Sequence, residues 1–143
     1  MHRFLFPVEV SKGEDGFFLV LFPDVPEAGT DALTIEEALE EAGDCISEAL
    51  ASRMKHGEPI PVPSKIGKRH GVSPTALISA KAALYLAWKE TGLSCLALSK
   101  KLGIALQTLQ RMLDPKHRTH IGSIETVLKV LGARLVVDME KAA

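Results

Sequence analysis

The sequence lacks paired cysteines. Cys45 and Cys95 stand alone on segments of helical pattern, with no Cys-x-x-Cys and no Cys/His ligand spacing. That excludes a disulfide scaffold or a zinc module and leaves two small, reduced thiols. Also missing is any run near the roughly eighteen uninterrupted apolar residues that a membrane span requires. The opening Met-His-Arg-Phe-Leu-Phe-Pro is too short and too Pro-broken for a signal peptide. A membrane is therefore not an expected partner, and the cytoplasm is the expected compartment.

Catalytic signatures are absent as well. No Gly-rich phosphate loop, His-Glu-x-x-His or Gly-x-Ser-x-Gly occurs, so neither an enzyme nor a cofactor is expected. Asp24, Asp31 and Asp44 make a conceivable magnesium set, but nothing in the pattern brings them together, and exposed carboxylates are mostly just exposed. His56 and His70 are isolated in polar stretches and read as surface groups. His117 and His120, beside Lys116 and Arg118, fit phosphate contacts and plain loop surface equally well.

What is present is a globular composition, 46% apolar over 143 residues, enough for one domain or two small ones. Charge divides the chain. Up to Val62 thirteen Asp and Glu stand against four Lys and Arg, a net charge of −9. From Pro63 onward thirteen Lys and Arg stand against five acids, a net charge of +8. The asymmetry suggests a basic partner for the first half and a polyanion for the second, against the plainer reading of two unrelated solvated surfaces.

In the acidic half, Arg3 to Val10 alternates as a strand in which Pro7 favours an edge position. Gly13 to Gly16 is a turn, Phe17 to Phe22 returns as a second strand, and Ala28 to Ala32 is a short third. Thr34-Ile-Glu-Glu37 is a capping box that opens a long helix. Ile35, Ala38, Leu39, Ala42, Ile46, Ala49, Leu50 and Met54 form its apolar stripe, wide enough to cover a sheet. Glu36, Glu40, Glu41, Asp44 and Glu48 fall off the stripe, as a solvated face or a dock for a basic partner. Gly57 ends the helix. A fourth strand has room near Ile60 to Val62, restricted to an edge by Pro59, Pro61 and Pro63, and residues 64–72 read as a hinge.

The basic half opens with a helix from Ser79 to Thr91, anchored by Trp88 and stopped by Gly92. Leu93 to Leu113 then reads as a helix-turn-helix. Leu98 and Leu102 share a face, Ser99 allows a close helix crossing, and Gly103 ends the first helix. Ile104, Leu109, Met112 and Leu113 resume the apolar face, leaving Gln107, Thr108, Gln110 and Arg111 outward, able to bond base edges and phosphates. An ordinary helical hairpin with a solvated polar face is the plainer alternative. Cys95 stands where such motifs usually carry glutamine, and Ala105 where Ser or Thr would cap the second helix. A basic loop runs from Asp114 to His120, Ser123 is placed to cap a last helix to Leu131, and Arg134 to Met139 is β-branched. That run needs a strand partner, near Leu77 and Ile78 or in a second copy.

Laid out in full, the chain resembles the HicB family of antitoxins. The resemblance rests on Phe22-Pro-Asp-Val-Pro26, Thr34-Ile-Glu-Glu-Ala-Leu39 and Gly57-Glu-Pro-Ile-Pro61 in the first half. In the second it rests on Lys81-Ala-Ala-Leu-Tyr85, Leu102-Gly103, Gln107-Thr-Leu-Gln-Arg111 and Leu131-Gly-Ala-Arg-Leu-Val136. Glu27-Ala28 departs from the Gly-Cys usual after the second proline. The resemblance implies an α+β chain: a partial RNase H-like β-β-β-α-β domain without the nuclease's metal-binding acids, then an all-helical, Cro/XRE-like helix-turn-helix domain with a C-terminal strand. It also implies a HicA-like mRNA interferase as partner, basic and with a catalytic histidine that the antitoxin would cover.

The expectation is thus an antitoxin and autorepressor. Residues 1–64 neutralise toxin, 65–78 link, and 79–143 bind DNA and form a homodimer or higher oligomer. Phe22, Pro23 and Asp24 with Glu40, Asp44 and Glu48 would meet the toxin. Gln107, Thr108, Gln110 and Arg111 would read operator bases, with Lys100, Lys101, Lys116 and Arg118 on phosphates. Two other readings stand beside it: a stand-alone transcription factor whose first domain senses a ligand, and a degenerate RNase H-like hydrolase dependent on magnesium and Asp24.

Overall fold

The computed structural model describes residues 3–141, and the Met1-His2 start of the segment weighed as a leader lies outside them. Among the described residues the order is β1 (Phe6–Lys12), β2 (Phe18–Leu21), β3 (Gly29–Ala32), α1 (Ile35–Lys55), β4 (His70–Val72), α2 (Ala76–Thr91), α3 (Cys95–Leu102), α4 (Leu106–Leu113) and α5 (Ile121–Val130). The class is α+β. The strands form one antiparallel sheet in the order β3-β2-β1-β4. No helix of the described residues is long and apolar enough to cross a membrane.

Alternation sets the two faces of the sheet. Phe6, Val8, Val20, Phe22 and Ala32 point inward and pack on Ala38, Ala42, Ile46, Leu50 and Met54 of α1. The predicted helical stripe and the predicted strands thus meet in one core. Thr34 caps α1, its Oγ1 accepting from the Glu37 N–H at 3.2 Å, which is one half of the predicted capping box; among the described residues the Glu37 side chain does not return the bond.

Four expectations are corrected. β1 starts at Phe6 and is an interior strand, yet Pro7 is tolerated because the pairing is staggered. Residues Phe6 to Val8 pair only with β4 and residues Glu9 to Lys12 only with β2, so Pro7 has a neighbour on one side. The fourth strand forms at His70–Val72, not near Ile60 to Val62. Pro59, Pro61 and Pro63 cannot donate to a ladder, and Ile60 is instead buried in the core. Helices α2 and α5 begin earlier than Ser79 and Ser123. Thr75 caps α2, its Oγ1 accepting from the Ile78 N–H at 3.4 Å, and α5 starts after His120. Finally, Arg134 to Met139 runs extended without becoming a strand. Leu77 and Ile78 lie within α2, so the partner proposed for that run inside the chain does not exist.

Helix α2 is apolar around most of its circumference, which marks a helix buried on more than one side. Ile78, Ala82 and Tyr85 pack on the sheet-and-α1 core. Ala80 and Leu84, on the opposite face, pack with Ile124, Val127 and Leu128 of α5. The Tyr85 hydroxyl donates to the Glu58 carbonyl at 2.8 Å, and the Thr75 N–H donates to Ser47 Oγ at 2.9 Å, fastening α2 to the middle of α1 and to the segment that follows it. The sheet module and the helical module therefore share one helix.

Leu84→Ala should cost about 2–5 kcal/mol by opening a cavity in the helical core. Because α2 belongs to both cores, urea unfolding followed by Trp88 fluorescence and by far-UV circular dichroism should shift together as one transition. Two separated transitions would show that the modules melt independently.

Candidate functional site

The segment from Leu93 to Leu113 folds as its residues dictate, into the two short helices α3 and α4 about Gly103. Gly103 adopts the left-handed conformation, φ 68°, which a side chain would strain. With the chain so turned, the Gly103 N–H donates to the Lys100 carbonyl at 3.2 Å and the Ile104 N–H to the Ser99 carbonyl at 3.1 Å, closing α3 in a Schellman motif. Leu98, Ser99 and Leu109 are buried between α3 and α4. Met112 and Leu113 rest on the helical core.

What remains outward on α4 is Gln107, Thr108, Gln110 and Arg111, all exposed. Lys100 and Lys101 in the last turn of α3 and Lys116 and Arg118 in the following loop are exposed too. Among the described residues none of these cations enters an ion pair. Ala105 at the start of α4 offers no side-chain cap, so the first-turn N–H groups are not satisfied from that position. The surface thus combines amide and hydroxyl groups with uncompensated positive charge, the chemistry that suits a polyanion.

One residue behind this surface escaped the sequence reading as a functional group. Lys81, on α2, is 0% exposed, and its Nζ donates to the carbonyls of Arg111 at 3.1 Å and Asp114 at 2.8 Å and to Thr119 Oγ1 at 2.7 Å. Its three donors are all used. Two of the acceptors are carbonyls at the C-terminal end of α4, where a cation is favoured. Lys81 therefore fixes the end of α4 and the loop carrying Lys116 and Arg118 against α2. Burial pushes its ammonium down to about 8, partly opposed by the negative charge of Asp114. The signal was available: a lysine inside the apolar run Ile78 to Leu86 must find partners.

The acidic surface lies on the sheet module. Glu40, Asp44 and Glu48 are exposed along α1, and Pro23 is exposed at the corner after β2. Phe22 is 1% exposed and belongs to the core, so it shapes the corner from beneath. The Asp24 carboxylate accepts from the Ser64 N–H at 2.7 Å and the Ser64 hydroxyl at 2.6 Å, which ties the exit segment to the corner. Glu27 holds Arg53 in a two-pronged ion pair at 2.6 and 2.7 Å, and the guanidinium keeps the Glu27 carboxyl below its ordinary range. Corner and helix meet in a shallow depression lined by Glu27, Ala28, Gly29, Asp44, Cys45 and Glu48. Asp24, Asp31 and Asp44 do not converge, and no group of three or more metal-ligating side chains gathers among the described residues.

A family model described as the HicB-like antitoxin of bacterial toxin-antitoxin systems matches residues 5–83, from the start of the sheet into α2. The chain is 36% identical to Antitoxin HicB 2 of Photorhabdus laumondii, over 91% of this chain and 92% of that protein. It is 31% identical to Antitoxin HicB 1 of the same bacterium, over 97% and 92%. To Antitoxin HicB of Escherichia coli K12 it is 28% identical, over 94% and 98%. These three likenesses run through the helical module as well as the sheet.

Lys81 also has a pH consequence. The folded chain releases this proton near pH 8 and the unfolded chain near the ordinary 10.5. Between those values the unfolded state binds more protons, so this residue makes stability rise with pH. The urea midpoint of the wild-type chain relative to Lys81→Met should therefore be higher at pH 9.5 than at pH 7.5. An unchanged difference would place the ammonium in water, not in the clamp.

Proposed function

The chain belongs to the HicB-like antitoxin family of bacterial toxin-antitoxin systems, and we propose that it is both the antitoxin and the autorepressor of such a pair. The family's named role is an antitoxin's and not an enzyme's. In this reading the sheet module covers a small, basic HicA-like mRNA interferase in the cytoplasm, and the helical module binds operator DNA. The observation that carries it is the placement of charge: carboxylates exposed along α1 on one module, unpaired cations around α4 on the other.

The β1-β2-β3-α1-β4 order suits a partial RNase H-like fold, and α2 to α5 suit a Cro/XRE-like helix-turn-helix domain. Neutralisation is assigned to residues 1–64 and operator binding to 79–143, with 65–78, which supplies β4 and opens α2, as the connection. Gln107, Thr108, Gln110 and Arg111 face base edges in the major groove while Lys100, Lys101, Lys116 and Arg118 hold phosphates. Glu40, Asp44 and Glu48, with Pro23 at the corner that Phe22 and Asp24 support, attract the toxin. The extended Arg134 to Met139, with Val137 81% exposed, suits pairing with a second copy, which would present two reading helices to two half-sites.

A groove of about 970 Å³ between the lead into β1, α2, α5 and the C-terminal segment favours a second reading. There the chain is a transcription factor whose DNA affinity follows a ligand bound beside Phe4, Leu86 and Leu128. Ligand-independent operator binding together with toxin neutralisation would remove it.

Arg111→Ala should weaken operator binding by about 10- to 100-fold in a gel-shift titration, and Lys116→Ala should lower the salt slope by about 1. Both variants should still rescue growth when co-expressed with the product of the adjacent small basic reading frame. Loss of rescue by Arg111→Ala would refute the separation of the two surfaces.

A further inference from the structure

Helix α1 covers one face of the sheet, and the other face, closed at the buried Pro7 of β1, is exposed at Glu9, Leu19, Leu21 and Asp31. The pairing register places Glu9, Leu21 and Gly29 in one row of that exposed face and Ser11, Leu19 and Asp31 in the next. Leu19 is 39% exposed and Leu21 is 44% exposed, both in regular strand and both without a covering element. Just outside the strands, Phe17 is 37% exposed and Leu33 is 63% exposed. Two large apolar side chains, Leu19 and Leu21, thus lie on one face of the sheet beside the carboxylates of Glu9 and Asp31, with the exposed Phe17 and Leu33 next to strand ends. Lys12, the cation of these strands, pairs with Phe18 on the inward register and holds its Nζ over the Phe18 ring, 5.4 Å from its centre.

The acidic face of α1 and this exposed face differ in what they can do. Solvated carboxylates on a helix speed encounter with a basic partner and orient it, but they add little residence time. Residence time comes from apolar side chains that leave water at the centre of an interface, with charged groups kept at its rim. We propose that the outer face of β1, β2 and β3, centred on Leu19 and Leu21, is the docking surface for the small basic toxin. This rests on the antitoxin reading and deepens it. The partner surface is then an apolar patch bordered by Lys or Arg that meet Glu9 and Asp31, while Glu40, Asp44 and Glu48 of α1 act as the attracting field and not as the contact.

Charge also speaks against the other occupants. A second copy docked face to face would bring the Glu9 and Asp31 carboxylates of both copies together, which is repulsive. The chain's own C-terminal segment is held elsewhere, along the groove beside α2 and α5, with Asp138 paired to Arg3 at 3.4 Å.

The test uses the full chain with Leu19→Arg and Leu21→Arg together, both exposed positions, and in parallel Leu19→Gln with Leu21→Gln in case the arginines disturb folding. Each is checked for an unchanged thermal transition and for operator binding, then measured by biolayer interferometry against the product of the adjacent small basic reading frame. The expected result is dissociation accelerated about 30-fold or more, as for loss of a central anchor. The triple variant Glu40→Gln, Asp44→Asn, Glu48→Gln should instead slow association and flatten its salt dependence while leaving dissociation alone. Sheet-face variants that hold the toxin within about threefold of wild type would overturn the docking surface and leave the antitoxin reading standing. Failure of the wild-type chain to bind the toxin would overturn the antitoxin reading itself. If the free chain's oligomers on gel filtration fall apart with these substitutions while toxin binding persists, the face joins copies of this chain and the proposal fails.

Discussion

Helix α2 is the constraint on which the rest of the molecule depends. Its two opposite faces are buried in different cores, Ile78, Ala82 and Tyr85 against the sheet and α1, Ala80 and Leu84 against α5. A rotation or slide of α2 that improved one core would open the other, and close-packed interiors resist both. The backbone of Thr75 reinforces this by reaching α1, and the hydroxyl of Tyr85 by reaching the segment just after it. The segment before α2 looks like a flexible linker in composition, yet it is held by Asp24 on Ser64, by the buried Ile60 and by pairing of β4 with β1. The toxin-facing and DNA-facing surfaces proposed above are therefore carried on one body.

Charged groups do two kinds of work in this chain. Glu27 with Arg53, Asp24 with Ser64 and Lys81 with the end of α4 are consumed by architecture, each with close, directional partners. Glu40, Asp44, Glu48, Lys100, Lys101, Lys116 and Arg118 are exposed and form no ion pair among the described residues. Exposed charges contribute little to stability, so their segregation by module is better understood as information for partners than as support for the fold. Lys81 links the two kinds, since a buried ammonium fixes the end of α4 and the loop that carries the exposed Lys116 and Arg118.

Much of the fold was legible because local rules and global packing agree. The stripe from Ile35 to Met54, the Thr34 cap, the Gly103 turn and the alternation of β1 and β2 all formed where periodicity and capping placed them. The misplacements came where a residue's meaning depends on its neighbours in space. Pro7 marks an edge only on the side where β2 has ended, and His70–Val72 reads as a hinge until β1 lies beside it. Arg134 to Met139 has strand propensity but no neighbouring strand among the described residues, and propensity alone does not make a ladder.

The α+β class, the two oppositely charged halves, the helical pair around Gly103 and the family resemblance could be read from the residues alone, since each is written in spacing, composition or motif. Folding in three dimensions was needed to show that Phe22 supports the corner from within while Asp24 ties it to Ser64, that Lys81 clamps α4, that α2 joins both cores, and that Leu19 and Leu21 share an exposed face with Glu9 and Asp31. The reason is physical: spacing along a chain fixes which side chains share a face, but which faces are covered depends on what the rest of the chain has left to cover them.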